Sequence, residues 1–246
     1  MNQELKEKKV KTKQQEEEEK FEPTVLVEPE VYLKTGAHIG TKFKTGDMKR
    51  YIYKARKDGL KVLNIKTLDE RIKLAANFIN MYPVEKIIVV ARKLYSQTPV
   101  KKFAETLGFK ALTGRFVPGT FTNPKAKEFI EPKLILCSES DSDAQAIKEA
   151  SAVNAVVISL VSTNNALTNV DLAIPVNNKG RRSLALVYWL LTRELLKLRG
   201  GIEKDSEYTK KIDDFEYKLK EGDIEQKQER QQRPMMRRNR YPRKNY

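Results

Sequence analysis

The sequence predicts an α/β domain with a doubly wound parallel sheet of about five strands and helices on both faces. Two observations favour this fold. Between residues 61 and 201, short apolar runs rich in branched side chains alternate with segments of helical period. Residues 87–90 are apolar without interruption, which is typical of a strand covered on both faces. The pattern leaves open whether the sheet is flavodoxin-like or Rossmann-like.

The first half of this pattern predicts strands and helices in turn. Residues 62–65 are predicted as the first strand of the sheet. Thr67 and Glu70 have the spacing of a capping box, so a helix is expected to begin there and to end at Pro83. Residues 87–90 form the next predicted strand. A second helix carries an apolar stripe over 100–107 and ends at Gly108.

The second half continues the alternation. Strands are predicted at 134–137, 155–160 and 172–174, and Ser142 with Gln145 is expected to cap the helix between the first two. A long helix is predicted over about 181–199 and ends at a Gly-Gly pair. Its predicted buried face is made of Leu184, Val187, Tyr188, Leu191, Leu195 and Leu198. Arg193 near its end is expected to complement the helix dipole.

Composition and charge exclude several classes of protein. The chain has 246 residues, 48 basic against 33 acidic side chains, one cysteine and one histidine. An internal disulfide and a multi-cysteine metal site are therefore excluded, and neither a metal nor a cofactor is predicted. No apolar run approaches the length of about 20 residues that a membrane span needs. We expect a soluble, cytoplasmic protein with no membrane partner, and its net charge of +15 favours a polyanionic one.

Charge also divides the chain into three parts. Residues 1–22 mix lysine and glutamate with few apolar side chains and are predicted to be a disordered tail. Residues 23–202 form the predicted domain, and 203–246 form a charged extension that is predicted to be a second disordered tail. The last 17 residues of that extension hold seven basic side chains and no acidic one. We expect this arm to bind a polyanion through Arg237, Arg238, Arg240 and Arg243, although a merely solubilising tail is the alternative.

Enzymatic motifs are missing from the sequence. It has no G-x-G-x-x-G, no G-x-x-x-x-G-K-[ST] and no Gly-x-Ser-x-Gly. The single histidine, His38, has no evident carboxylate partner and is expected to be structural or to stack on RNA. Cys137 ends a buried strand and is predicted to be a core residue. Asp141 and Asp143 flank a helix start, where they complement its dipole. No catalytic residue and no small-molecule substrate are predicted.

The strongest functional signal is a basic stretch with interleaved aromatic residues. Residues 34–66 hold ten basic and two acidic side chains, together with Phe43, Tyr51 and Tyr53. Basic side chains neutralise phosphates, and aromatic rings stack on unpaired bases. The tyrosines fit a core role equally well. The predicted RNA-binding residues here are Lys42, Lys44, Lys49, Arg50, Lys54, Arg56 and Lys57.

A second basic element lies between the last strand and the last helix. The N-terminus of a helix attracts anions, and basic residues placed there oppose the dipole unless phosphates are held. We therefore expect backbone contacts with RNA from Asn178, Lys179, Arg181 and Arg182. Arg92 and Lys93 follow a strand and are added to the predicted RNA-binding set, as is Arg115, if 111–112 is a strand.

Several blocks then resemble one family. They are residues 37–40 (Ala-His-Ile-Gly), 48–53, 114–124 (Gly-Arg-Phe-Val-Pro-Gly-Thr-Phe-Thr-Asn-Pro), 146–150, 171–175 with 177–180, and 189–191. They resemble the second-numbered ribosomal protein family of the small subunit, which includes the laminin-receptor-precursor-like proteins. The resemblance covers about 29–201 and not the tails. The bacterial type carries a coiled-coil insertion for which residues 48–67 leave no room, and the basic arm replaces the acidic extension of the eukaryotic type. The chain thus resembles the archaeal type.

The resemblance implies a flavodoxin-like domain and a structural role without chemistry. Such a protein lies between the head and the body of the small subunit. It binds ribosomal RNA and neighbouring ribosomal proteins and supports subunit assembly and translation. Two alternatives stay open: a non-ribosomal RNA-binding regulator, and an enzyme acting on a nucleotide or sugar phosphate with the same fold.

Overall fold

The main sheet is parallel and has five strands. The structure is a computed structural model that describes residues 26–202 and 207–218. Its strands are β1 (Ile52–Ala55), β2 (Lys61–Leu63), β3 (Ile87–Ala91), β4 (Lys110–Thr113), β5 (Leu134–Cys137), β6 (Val156–Val161) and β7 (Leu172–Pro175). The sheet order is β4-β3-β5-β6-β7, and every pairing in it is parallel. This is the flavodoxin order, so the fold predicted from the sequence is confirmed and the choice left open is settled.

Helices cover both faces of the sheet. They are α1 (Pro29–Thr35), α2 (Ile65–Asn80), α3 (Leu94–Leu107), α4 (Ala144–Ala152), α5 (Arg181–Leu198) and α6 (Ile212–Phe215), with 3-10 helices at Asp47–Tyr51 and Val84–Lys86. Alternate residues of β3 point to opposite faces: Ile87 and Val89 pack under α2, α3 and α5, and Ile88 and Val90 pack under α4. The two cores explain why the strands are continuous apolar runs.

The first predicted strand is present as β2 but belongs to a different sheet and ends at Leu63, and two predicted caps are wrong. Strand β2 pairs antiparallel with β1 in a separate two-stranded sheet, because it meets a hairpin turn rather than a helical crossover. Helix α2 begins earlier than the Thr67 box, since the Asn64 side chain accepts the Lys66 N–H at 3.1 Å. The N-cap of α4 is Asp143, and the Ser142 hydroxyl donates a hydrogen bond to the Glu139 carboxylate instead.

Helix α5 is buried more completely than its predicted stripe. Ala185, Leu186 and Leu190 are buried along with the predicted face, whereas Leu198 is 44% exposed. Helix α5 packs against α1, α2 and α3, and residues 207–218 also pack on it. Phe215 is fully buried there, and the Trp189 indole donates to the Lys210 carbonyl at 2.7 Å. The sequence did not predict this packing.

Arg193 has a structural role that differs from the predicted one. It is 4% exposed, and its guanidinium donates to the Leu26 carbonyl at 2.8 Å and lies 3.1 Å from Glu194. The Tyr32 hydroxyl and the Leu26 N–H both donate to buried Asp69. Burial raises the pKa of Asp69, and these hydrogen bonds oppose that rise. Arg193 therefore anchors the start of the domain instead of complementing a dipole at the surface.

Candidate nucleic-acid interface

A small sheet beside the main one carries the basic stretch. Strands β1 and β2 form a hairpin whose turn includes Arg56 and Lys57, and the loop before them includes Lys42 and Lys44. We define the hairpin patch as its predicted basic residues plus two aromatic ones: Lys42, Lys44, Lys49, Arg50, Lys54, Arg56, Lys57, Phe43 and Tyr53. All nine are exposed. All seven basic residues predicted in this segment are thus exposed on the hairpin or in the chain that leads into it.

Hydrogen bonds fix the hairpin patch to the carboxyl edge of the main sheet. Thr163, which follows β6, accepts the Thr41 N–H at its hydroxyl at 2.8 Å and the Thr45 N–H at its carbonyl at 3.0 Å. Gly40 permits this close approach. A Cβ there would lie 2.5 Å from the Thr163 Cγ2 and 2.9 Å from the Lys61 carbonyl. Glycine is needed at position 40 because a side chain would collide with these two neighbours, and not because the backbone angles require it.

The three aromatic residues of the basic stretch have different roles. Tyr51 is 4% exposed and lies in a core cluster, whereas Phe43 is 77% and Tyr53 is 70% exposed. Side chains this exposed leave most of their apolar surface in water, whereas a core position would bury it. Phe43 and Tyr53 are thus available for stacking on unpaired bases, and Tyr51 is the core residue that the alternative allowed.

Further predicted residues lie at the carboxyl ends of β3 and β4. Arg92 and Arg115 are exposed there. Lys93 instead pairs with Glu139, whose carboxylate lies 2.5 Å from its ammonium group. The ion pair directs the Lys93 charge toward the protein rather than toward solvent.

At the crevice between β3 and β5, where flavodoxin-like folds bind ligands, the chain's own Asp143 carboxylate accepts backbone N–H groups from both strand ends. Asp143 accepts the Arg92 N–H at 3.0 Å and the Glu139 N–H at 3.2 Å. These are backbone groups that an anionic ligand would need. Burial raises the pKa of Asp143 to about 6, and its hydrogen bonds oppose the rise. The acid does more than complement a helix dipole: it ties two strand ends together.

The second basic element is engaged within the protein. Asn178 is buried, and its amide donates to the Leu160 carbonyl at 3.1 Å and to Asn165 at 2.9 Å, so it braces loops instead of facing RNA. Lys179 is exposed and donates to Asn164 at 3.2 Å. Arg181 and Arg182 lie 3.7 and 3.8 Å from Glu216. A carboxylate of the chain thus lies beside the two arginines that were expected to contact phosphate.

Of the other predicted groups, His38 is half-buried, Cys137 lies in the core, and the tails lie outside the described residues. His38 lies 3.2 Å from the Tyr32 carbonyl and has a structural contact. Cys137 is buried, and burial raises the pKa of its thiol well above the usual value, which disfavours a nucleophile. The basic arm with Arg237, Arg238, Arg240 and Arg243 lies outside the described residues, as does the 1–22 tail.

Sequence reasoning missed Arg71. It lies on α2, and its guanidinium is 5.6 Å from the centre of the Tyr51 ring, while that of Arg50 is 5.4 Å from the same centre. Twenty residues separate the two arginines, and the predicted start of the helix at Thr67 gave no reason to place them together. No group of His, Cys, Asp or Glu in residues 26–202 or 207–218 is arranged to hold a metal ion. None of the helices there combines the length and apolar character needed to cross a membrane.

Comparison with known proteins identifies the family. The family model "Ribosomal protein S2" matches residues 32–128 and 125–197. The chain belongs to the ribosomal protein S2 family. It is 44% identical over 196 residues to the small ribosomal subunit protein uS2 of Staphylothermus marinus, covering 80% of this chain and 89% of the relative. The corresponding protein of Saccharolobus solfataricus is 45% identical over 195 residues, covering 79% and 84%.

Membership of the S2 family confirms the resemblance drawn from the sequence, including its archaeal type. The described chain passes from the Asp47–Tyr51 helix through the β1–β2 hairpin directly into α2. Residues 48–67 thus contain a short hairpin in place of an inserted coiled coil. The matched segments include the hairpin patch, the Gly114–Pro124 block and α5, which places the candidate interface within the family domain.

Proposed function

We propose that this chain is a structural constituent of the small ribosomal subunit and that it binds ribosomal RNA through the hairpin patch. Its family is structural rather than catalytic. The proposal includes a cytoplasmic location in the subunit between head and body, contacts with neighbouring ribosomal proteins, and support of assembly and translation. The resemblance in the family blocks supports these finer statements.

The observation that carries the RNA-binding proposal is the lack of compensating acid in the hairpin patch. Among the described residues, only Arg56 of this patch pairs with a carboxylate, that of Asp58 at 3.6 Å. The other six cations have none within 4.0 Å among those residues. Exposed like charges at this density repel one another, and phosphates relieve that repulsion while they release counterions.

The carboxyl edge supports a single RNA-facing surface. Parallel strands end at the same edge, so Arg92, Arg115 and Lys179 share it with the loop that anchors the hairpin patch. We include these three residues in the proposed interface. Asn178 is left out because it is buried. Lys93 would contact RNA only if the RNA displaced Glu139, and Arg181 and Arg182 only if it displaced Glu216.

Sedimentation of cell extract tests the proposal. An epitope-tagged chain is expected to co-sediment with small subunits in near-stoichiometric amount in a sucrose gradient at low salt. Replacing Lys42, Lys49 and Arg50 with glutamate should shift it to the top of the gradient. A wild-type chain that stays at the top would support a free RNA-binding regulator. A triple variant that stays bound would remove the hairpin patch from the interface.

A further inference from the structure

A cleft of about 390 Å³ opens beside the hairpin patch. Its walls come from the 3-10 helix Asp47–Tyr51, from α2 and from the loop before β7. This volume lies within the range of about 300–1,000 Å³ that is typical of small-ligand clefts. Arg50 and Arg71 line the cleft, and both guanidinium groups lie over the Tyr51 ring.

The charged groups of the cleft are not paired with one another. Neither guanidinium has a carboxylate within 4.0 Å among the described residues, although Asp47 and Asp171 also line the cleft. Each acid uses one oxygen to hold a backbone N–H: Asp47 that of Leu167 at 3.4 Å, and Asp171 that of Val157 at 2.8 Å. The two carboxylates are therefore held in place without neutralising the two guanidinium groups.

The balance of charge indicates the ligand class. Two guanidinium groups against two carboxylates give no net charge, so a phosphate would gain from the arginines and lose to the acids. A neutral planar ligand with donors on one edge and acceptors on the other fits better. Guanine is the base that offers two adjacent acceptors, O6 and N7, to a forked arginine, and two adjacent N–H donors to a carboxylate.

We propose that this cleft binds an unpaired guanine base of RNA, with Arg71 on its acceptor edge and Asp47 on its donor edge. The Nε of Arg50 already donates to the Asp47 carbonyl at 3.3 Å, and Asp171 holds its backbone N–H more closely than Asp47 does. The inference rests on the proposed function, because Arg50 belongs to both the cleft and the hairpin patch. RNA proteins read unpaired bases that leave the helix, and a cleft at the margin of a phosphate-binding surface can take such a base.

Four heptaribonucleotides test the cleft. Each has uridines at all positions except the fourth, which is G, A, C or U, and binding to the full chain is followed by fluorescence anisotropy. We expect the G oligonucleotide to bind about tenfold more tightly than the A one, as one bidentate contact allows. Arg71→Lys keeps the charge but removes the planar fork, and should abolish most of that preference. Arg199→Lys, the matched change at an arginine that lies over the Phe109 ring outside the proposed interface, should leave it intact.

The outcomes separate the cleft from the proposed function. Equal binding of all four oligonucleotides, or no saturable binding to any while small-subunit RNA still binds, overturns the guanine cleft and leaves the RNA surface in place. So does an Arg71→Lys variant that keeps the full preference. If that variant melts at a lower temperature than the wild type, Asp47→Asn decides, because its amide N–H group opposes the guanine donors and should remove the preference. A wild-type chain that binds neither the oligonucleotides nor small-subunit RNA counts against the proposed function itself.

Discussion

Neutralising three lysines of the hairpin patch should weaken RNA binding in a salt-dependent way. The variant changes Lys42, Lys44 and Lys49 to glutamine. All three are exposed and have no carboxylate within 4.0 Å among the described residues, so their charges are available to phosphates. None of them lines the Arg50–Arg71 cleft.

The magnitude follows from counterion release. Each phosphate contact contributes roughly 0.7–0.9 to the slope of log K against log salt, so losing three contacts should reduce the slope by about 2. At about 0.1 M salt this corresponds to roughly 100-fold weaker binding, and the difference should shrink toward about 1 M salt.

The assay is a titration of small-subunit RNA with the purified chain at several salt concentrations. The matched control replaces three exposed lysines on other elements with glutamine: Lys101, Lys125 and Lys148. Both variants lose the same net charge. An equal change of slope in the two variants would show that net charge acts alone and that the hairpin patch has no special position.

Three further predictions concern the scaffold. Gly40→Ala forces a Cβ to within 2.9 Å of the Lys61 carbonyl. We expect it to lower the free energy of unfolding by about 1–3 kcal/mol and to weaken RNA binding. A free energy of unfolding in chemical denaturation equal to that of the wild type would contradict the close packing. Asp143 has a folded pKa of about 6, which is above its unfolded value. Its contribution to the free energy of unfolding is therefore present at low pH and should be lost as the pH rises from about 4 to 6. The expected loss is on the order of 2–3 kcal/mol. Denaturation at several pH values should show this fall, and Asp143→Asn should flatten it; a variant with the same pH profile would assign the effect to another group. Glu149 is buried and accepts the Gly119 N–H at 2.8 Å, so Glu149→Ala should cost about 3 kcal/mol or more, and a loss below about 1 kcal/mol in urea denaturation would be inconsistent with that role.

The sequence predicted the main sheet well because its signals are local. Strand β3 is a buried apolar run and α3 ends at Gly108 in the left-handed conformation, and neither requires knowledge of distant residues. The start of α2 was misplaced because Asn64 and Thr67 are both good capping residues, and only the fold decides which of them is used. For β2, the apolar pattern predicts a strand but not its partner.

The candidate site divides in the same way. The exposure of the seven basic residues of the hairpin patch could be predicted because exposure is the default for lysine and arginine, whereas their contact with RNA stays a prediction. The roles of Asn178, Arg181 and Arg182 could not, since they depend on Asn165 and Glu216, which are distant in sequence or lie in a segment predicted as a tail.

By itself, the sequence determined the order of helices and strands, the family and the sign of the charge that faces a partner, because periodicity and composition are properties of neighbouring residues. The tertiary structure alone decided which cations remain unpaired and which are matched by carboxylates. It also placed Arg71 beside Arg50 over one buried ring. Charges interact through space over a few ångströms, and chain folding sets those distances independently of separation along the sequence.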